Sequence, residues 1–206
     1  GLARPWESAV DADSPEALAA FQDEVREHRE FLRELRGNEG YKRYDEMRRN
    51  EPVVVALLNA IEQAIRGVDW NITADDQDDE RVEFVRQALD GMATDWHDHV
   101  SEALGMLPFG WSLFEIVYKR DGGRLVWDTF SVRGQDTLYK WDFDSRGNIL
   151  GMVQTADLKT VTIPMTKAVL YRTRIERNNP EGRSILRGCW LPYYYAKNLR
   201  ALEAIG

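Results

Sequence analysis

Apolar residues recur at helical spacing from Ser14 to the neighbourhood of Gly37. Leu18, Phe21, Val25, His28, Leu32 and Leu35 fall on one stripe, while Asp23, Glu24, Arg26, Glu27, Glu30, Arg33 and Glu34 crowd the other face. Ser14 suits an N-cap and Pro15 the first helical position, so the pattern predicts an amphipathic helix behind an irregular arm over residues 1–13. A shorter helix is expected from about Gly40 to Arg49, broken before Pro52. Val53 to Ile65 predicts a strongly apolar helix whose buried stripe is Val54, Leu57, Leu58, Ile61 and Ile65, stopped by Gly67. Val68 to Thr73 alternates and predicts a strand. Two further helices follow, one carrying Val82, Val85, Leu89 and Met92. The other opens at Thr94-Asp95, runs through Val100, Ala103, Leu104 and Leu107, and ends before Pro108.

Beyond Pro108 the period changes from helical to alternating. Phe114, Ile116 and Tyr118 predict one face of a strand, Asp121-Gly122-Gly123 a turn, and Leu125-Val126-Trp127 the return strand. A second hairpin is expected over Leu138–Phe143 and Ile149–Gln154, turning at Ser145–Asn148. Short strands follow at Val161–Ile163 and Ala168–Tyr171, then a loop at Asn178–Gly182. A last helix is expected from about Ser184 to Ile205. The order of helices, a hairpin-rich and mostly antiparallel sheet, then a C-terminal helix defines an α+β class. The expected organisation is an arm and amphipathic helix over 1–40, an α+β body over 41–182 and a helix over 183–206. Because the sequence stops within a helix, it reads as a piece of a longer protein.

Composition adds three constraints. Apolar residues make up 43% of 206 residues, enough for a real core at this length. No run approaches the roughly 18 apolar residues of a membrane span, so no membrane partner is expected. The single cysteine, Cys189, excludes an internal disulfide framework and is expected to be a buried structural thiol beside Trp190 and Leu191.

The net charge of −8 is unevenly spread. Residues 1–100 hold 12 Lys/Arg against 24 Asp/Glu, or −12, and residues 101–206 hold 15 against 11, or +4. The basic residues concentrate at Arg172, Arg174, Arg177, Arg183, Arg187, Lys197 and Arg200, opposed by Glu176 and Glu181. Arg172, Arg174, Arg177 and Arg187 are candidate contacts to a neighbouring subunit or to DNA. The neighbouring-chain reading ranks ahead, because no aromatic stacking pattern interleaves them on a predicted sheet.

The sequence carries no pattern that predicts catalytic residues, a metal site or a cofactor site. Asp75-Asp76-Gln77-Asp78-Asp79-Glu80 lacks the alternation, sixth-position Gly and twelfth-position Glu of a calcium loop, and suits a helix N-terminus better. His97 and His99 stand two apart on an expected helix, a spacing that does not chelate, and are expected at the surface. There is no Gly-x-Ser-x-Gly elbow, and Gly105–Gly110 lacks the Lys-Ser/Thr of a phosphate loop. A metal-dependent hydrolase using His97 and His99 remains a rival reading, as does a general structural or adaptor protein.

Four segments, in order, resemble the portal proteins of Mu-type tailed phages. They are Tyr44-x-x-Met47 with Pro52-Val53-Val54-x-Ala56-Leu57 and Trp70-Asn71-Ile72; Leu104 with Phe109-Gly110-x-Ser112-x-Phe114-Glu115-Ile116-Val117-Tyr118; Arg133-x-Gln135-x-Thr137-x-Tyr139-x-Trp141 with Gly147 and Gly151; and Ile163-Pro164, Lys167 and Asn179-Pro180-Glu181-Gly182-Arg183-Ser184-x-Leu186-Arg187. They span about Tyr44 to Tyr195. Trp70, Phe109, Gly110, Phe114, Glu115, Asn179, Pro180, Gly182 and Arg183 are the motif positions expected to carry structure rather than catalysis. Gly110 is expected to turn helix into strand, and Ser184 to cap the helix after the Asn179–Gly182 turn.

The resemblance implies a virion subunit without enzymatic activity or cofactor, assembled in the host cytoplasm into a ring of twelve at one capsid vertex. Implied partners are the subunit itself, the large terminase subunit, the major capsid protein, head-completion or adaptor proteins, and double-stranded DNA in transit. Residues 41–182 would be wing-like, and the last helix would lead toward stem, clip and crown regions absent from this sequence. An acidic wall keeps a duplex mobile where fixed cations would hold it.

Overall fold

A computed structural model describes residues 30, 32–74, 80–144, 146–156, 159–175 and 179–205. Helices α1 (Gly37–Asn50) and α2 (Pro52–Arg66) meet at Glu51, and Pro52 takes the first helical position of α2, where its missing N–H costs nothing. Helix α3 (Glu80–Asp90) and helix α4 (Trp96–Ala103) follow, then the single turn α5 (Met106–Phe109). Strands β1 (Trp111–Asp121), β2 (Arg124–Arg133), β3 (Leu138–Phe143), β4 (Ile149–Ala156), β5 (Lys159–Pro164) and β6 (Ala168–Arg172) precede helix α6 (Trp190–Glu203). The α+β class is as expected, and so are both hairpins.

The strands form two three-stranded antiparallel sheets, ordered β2-β1-β6 and β3-β4-β5. Strand β1 lies between two cores. Trp111 and Leu113 face the second sheet, where they pack with Trp141, Met152 and Ile163. Ser112 and Phe114 face α4; Phe114 packs with Ala103 and Phe130, and the Ser112 hydroxyl donates to the Glu102 carbonyl at 3.3 Å. Residues 111–114 are therefore buried on both faces, whereas an ordinary half-exposed strand would alternate. A bulge between Val117 and Tyr118 ends the regular register, and Tyr118 is exposed. A third core joins Leu35, Tyr44 and Met47 to Val54, Leu186 and Trp190, fixing α1, α2 and the start of α6 together.

Several expectations are corrected. The helix expected from Ser14 lies mostly outside the described residues; Arg33–Leu35 is a short 3-10 turn, and Gly37 begins a helix instead of ending one. Leu57 is exposed because it sits about 60° round α2 from Val54, at the edge of the stripe. Val68–Thr73 is irregular and has no strand partner among the described residues. Trp70 instead lays its ring edge-on against Trp96, with centroids 5.8 Å apart. Pro108 lies inside α5, beyond the end expected for the preceding helix. Cys189 is exposed, because the neighbouring Trp190 takes the buried position at the start of α6. Among the described residues no helix is long and apolar enough to cross a membrane.

Candidate functional site

The motif positions near residues 110 and 180 converge on one backbone junction. Gly110 caps α5 with φ +91°, its N–H reaching the Met106 carbonyl at 2.8 Å, and so turns the chain into β1. Strand β6 returns beside it, pairing Arg172 with Trp111. The next residue, Thr173, is held from several directions. Its N–H donates to the Gly110 carbonyl at 2.9 Å, and its carbonyl accepts from the Arg183 N–H at 3.0 Å. Its hydroxyl lies 2.6 Å from the Arg183 carbonyl and 3.1 Å from that of Gly110.

Gly182, at φ +57°, passes through the remaining gap. A β-carbon there would stand 2.3 Å from the Gly110 carbonyl oxygen and 2.5 Å from that of Thr173; one on Gly110 would stand 2.5 Å from the Glu181 carbonyl oxygen. Both glycines are thus required for space as well as for backbone conformation.

Side chains complete the junction. Asn179 Oδ1 accepts from the Glu181 N–H at 3.0 Å, shaping the turn, and Pro180 is fully buried. Ser184 caps the following 3-10 turn (Ile185–Cys189) by accepting from the Leu186 N–H at 3.0 Å, while its hydroxyl donates to the Pro108 carbonyl at 2.5 Å. Phe109 stacks on Tyr41, with centroids 4.8 Å apart. Phe114 lies in the α4 core, and Glu115 pairs with Arg133 on the adjacent strand. Trp70 is far from the junction in role, lying half-exposed against Trp96.

A cleft of about 260 Å³ opens beside the junction, lined in part by Glu30, Arg174, Asn179, Arg183 and Arg187. Tyr44 forms part of its wall and is pushed up to about 12, by burial first and the Glu30 carboxylate second. Burial alone would raise Glu30, but hydrogen bonds from the Arg187 side chain and the Leu32 N–H outweigh it and hold its carboxyl below the usual range. The Arg187 guanidinium grips Glu30 at 2.8 and 3.0 Å. Arg172 is partly buried and donates to the Asn179 carbonyl at 3.1 Å; burial pushes its pKa down. Arg174 is exposed and takes a left-handed conformation with φ 42°. Arg177 lies outside the described residues.

Sequence reasoning missed a seam of polar contacts joining α1 to α6. The Tyr193 hydroxyl donates to Glu46 at 3.0 Å, Lys197 pairs with Glu46, and Arg200 reaches Glu51 at 3.5 Å. Trp190 Nε1 donates to Glu34 at 3.4 Å. The signal was the helical spacing of Trp190, Tyr193, Lys197 and Arg200 on α6, matched by Glu46 on α1 and by Glu34 and Glu51 on its flanks. The acidic and basic halves of the chain therefore meet, in part, within one molecule.

The two histidines separate. His97 is exposed, its N–H capped by Asp95 Oδ1 at 2.7 Å. Contrary to expectation, His99 is buried among Trp96, Phe114, Phe130 and Tyr171, with Nε2 3.0 Å from the Tyr171 hydroxyl. Burial lowers its pKa. Residues two apart on α4 face different ways, so the pair does not converge on a shared ligand.

The fold and this junction define a scaffold in which Gly110, Thr173 and Gly182 hold backbone segments together. The chain belongs to the portal protein of Mu bacteriophage family, whose model matches residues 41–205. Its fold is similar to a chain in the neck of an empty gene transfer agent particle, with TM-score 0.61 and 15% identity over 79% of this chain and 45% of that one. It is also similar to a chain of the native gene transfer agent virion, with TM-score 0.57 and 15% identity over 77% of this chain and 45% of that one. The chain thus spans less than half the length of the chains it resembles. No curated protein matches the sequence.

Proposed function

We propose that the protein is a structural, non-enzymatic subunit of a virion portal, assembled as a closed ring of about twelve copies around a DNA channel. The observation that carries this reading is the family match over residues 41–205, which runs through the junction at Gly110, Thr173 and Gly182. The junction supplies what a ring under load needs: three segments distant in sequence are fixed by backbone contacts, so force applied to one reaches the others. Residues 41–182 act as the wing-like body, and residues 183–206 lead toward the stem. The ring sits at the portal vertex after assembly in the host cytoplasm. It receives the large terminase subunit during packaging and head-completion or adaptor proteins afterwards, and it contacts the major capsid protein.

The channel guides a polyanion, and an excess of acidic groups keeps such a polymer moving. The chain's net charge of −8 is consistent with that demand. Negative-stain imaging of the purified full-length protein tests the proposal. Rings with a central hole and about twelve-fold symmetry are expected; isolated particles of single-subunit size at micromolar concentration would refute it.

A further inference from the structure

A closed ring of identical subunits needs two different surfaces that fit one another. The sheet ordered β2-β1-β6 presents arginines at its β6 edge and, beyond β2, a helix with exposed carboxylates. At the β6 edge, Arg172 is partly buried, and no ion pair joins it to a carboxylate among the described residues; its partner is the Asn179 carbonyl. A guanidinium drawn out of water without a counter-charge is a costly arrangement. Two residues on, Arg174 has no ion pair with a described residue, and it is the single non-glycine residue among them with positive φ. It directly follows Thr173, which is fixed on both its N–H and its carbonyl.

At the β2 edge lies α3, tied to the sheet by the Ala93 N–H on the Asp128 carbonyl at 2.7 Å and Lys119 Nζ on the Gly91 carbonyl at 2.7 Å. Its inward side carries Val82, Val85 and Leu89; on its exposed side Glu83 is paired with Arg86 at 3.2 Å, while Glu80 and Asp90 have no ion pair with a described residue. Asp90 closes the helix, where the macrodipole disfavours a carboxylate and the last turn holds no basic residue.

We infer that the Arg172–Arg174 corner of one subunit receives the Glu80–Asp90 ridge of α3 from a second copy, joining opposite edges of the sheet head to tail around the ring. This rests on the ring reading above. The occupant is a protein carboxylate, because the exposed Glu80 and Asp90 carry the charge that Arg172 and Arg174 lack among the described residues. The acidic and basic halves of the chain, −12 and +4, supply the complementarity that remains after the α1–α6 seam.

The test uses full-length protein, with mass photometry at about 0.1 and 1 M salt and near-UV circular dichroism to confirm folding. Arg174→Glu and the double variant E80K/D90K should each raise the concentration needed for half-assembly by at least about tenfold, one like-charge contact per interface. Combining them should recover most of the loss. Arg174→Gln, which keeps side-chain bulk, should fall between wild type and Arg174→Glu, and it is the variant to read if Arg174→Glu does not fold. Rings that form as readily with either charge reversal as in the wild type overturn this interface and leave the ring reading intact. So does a combination that rescues nothing. Loss of salt-sensitive duplex binding in Arg174→Glu with rings unchanged would assign the arginines to DNA and overturn it as well. A wild-type protein that never forms rings overturns both readings.

Discussion

The junction around Thr173 and the seam between α1 and α6 both join segments distant in the chain, by opposite means. At the junction, backbone meets backbone with no room for a β-carbon, and the hydrogen bonds around Thr173 join main-chain groups or its own hydroxyl to main-chain carbonyls. In the seam, long side chains reach one another through ionic pairs that stay half in water, as with Lys197, 51% exposed, against Glu46. The first arrangement tolerates no variation in shape and is indifferent to charge. The second tolerates variation in shape and depends on charge. Of the motif residues, Phe109, Gly110, Asn179, Pro180, Gly182 and Arg183 lie at the first and none forms the second, while Trp70, Phe114 and Glu115 lie elsewhere.

The contrast is broken most severely at Gly182. Gly182→Ala places a β-carbon against two carbonyl oxygens at a left-handed position, and the combined strain and overpacking should cost at least about 3 kcal/mol. Chemical denaturation would read this as a lower midpoint at unchanged slope, and a midpoint like that of the parent would refute the rigid junction. Ser184→Ala comes next. It leaves the Leu186 N–H without its cap and removes the buried hydroxyl that donates to the Pro108 carbonyl, for a loss of about 1–3 kcal/mol in the same measurement.

Arg187→Met removes the two-point grip on Glu30 beside the junction. Both side chains are largely but not wholly buried, so about 1–2 kcal/mol is expected, and Glu30→Gln should lose a similar amount. The smallest effect belongs to the exposed end of the seam, where Lys197→Met should change stability by less than about 1 kcal/mol.

Acid sharpens the same comparison. Glu30 and Glu46 have folded pKa values below their ordinary 4.5, Glu30 because hydrogen bonds from Arg187 and Leu32 overcome its burial, and Glu46 chiefly through its hydrogen bond from Lys197. A carboxyl whose folded pKa is depressed contributes stability above its unfolded pKa and loses it as pH falls through the folded value. The seam and the Glu30–Arg187 pair should therefore weaken as pH drops below about 4.5. The hydrogen bonds that hold Thr173 to Gly110 and Arg183 contain no titrating group and should persist. Hydrogen exchange at neutral pH and near pH 4, corrected for intrinsic rates, should show protection falling in α6 before it falls at Thr173 and Arg183; simultaneous loss would contradict the distinction.

Much of the junction was legible in the sequence because its constraints are local. Gly110 after Phe109, the Asn179–Gly182 turn and Ser184 ahead of a helix each announce a backbone conformation through the residue that tolerates it. Both hairpins were legible for the same reason, from alternation around Gly-containing turns. What escaped depends on partners distant in the chain. The alternation at Val68–Thr73 satisfies a strand pattern, yet no strand lies beside it, and Trp70 covers Trp96 instead. His99 looked like a surface residue because its aromatic surroundings come from β1, β2 and β6. The α1–α6 seam is invisible locally, since a carboxylate gives no sign of which distant cation it will meet.

The central claim is that this chain is a ring subunit, and the most direct test is the mass of the full-length protein in solution. Mass photometry in moderate salt should find a dominant species of about twelve subunits, with little material between it and the monomer, as closure of a ring requires. A single-subunit mass that persists as concentration rises through the micromolar range would contradict the account.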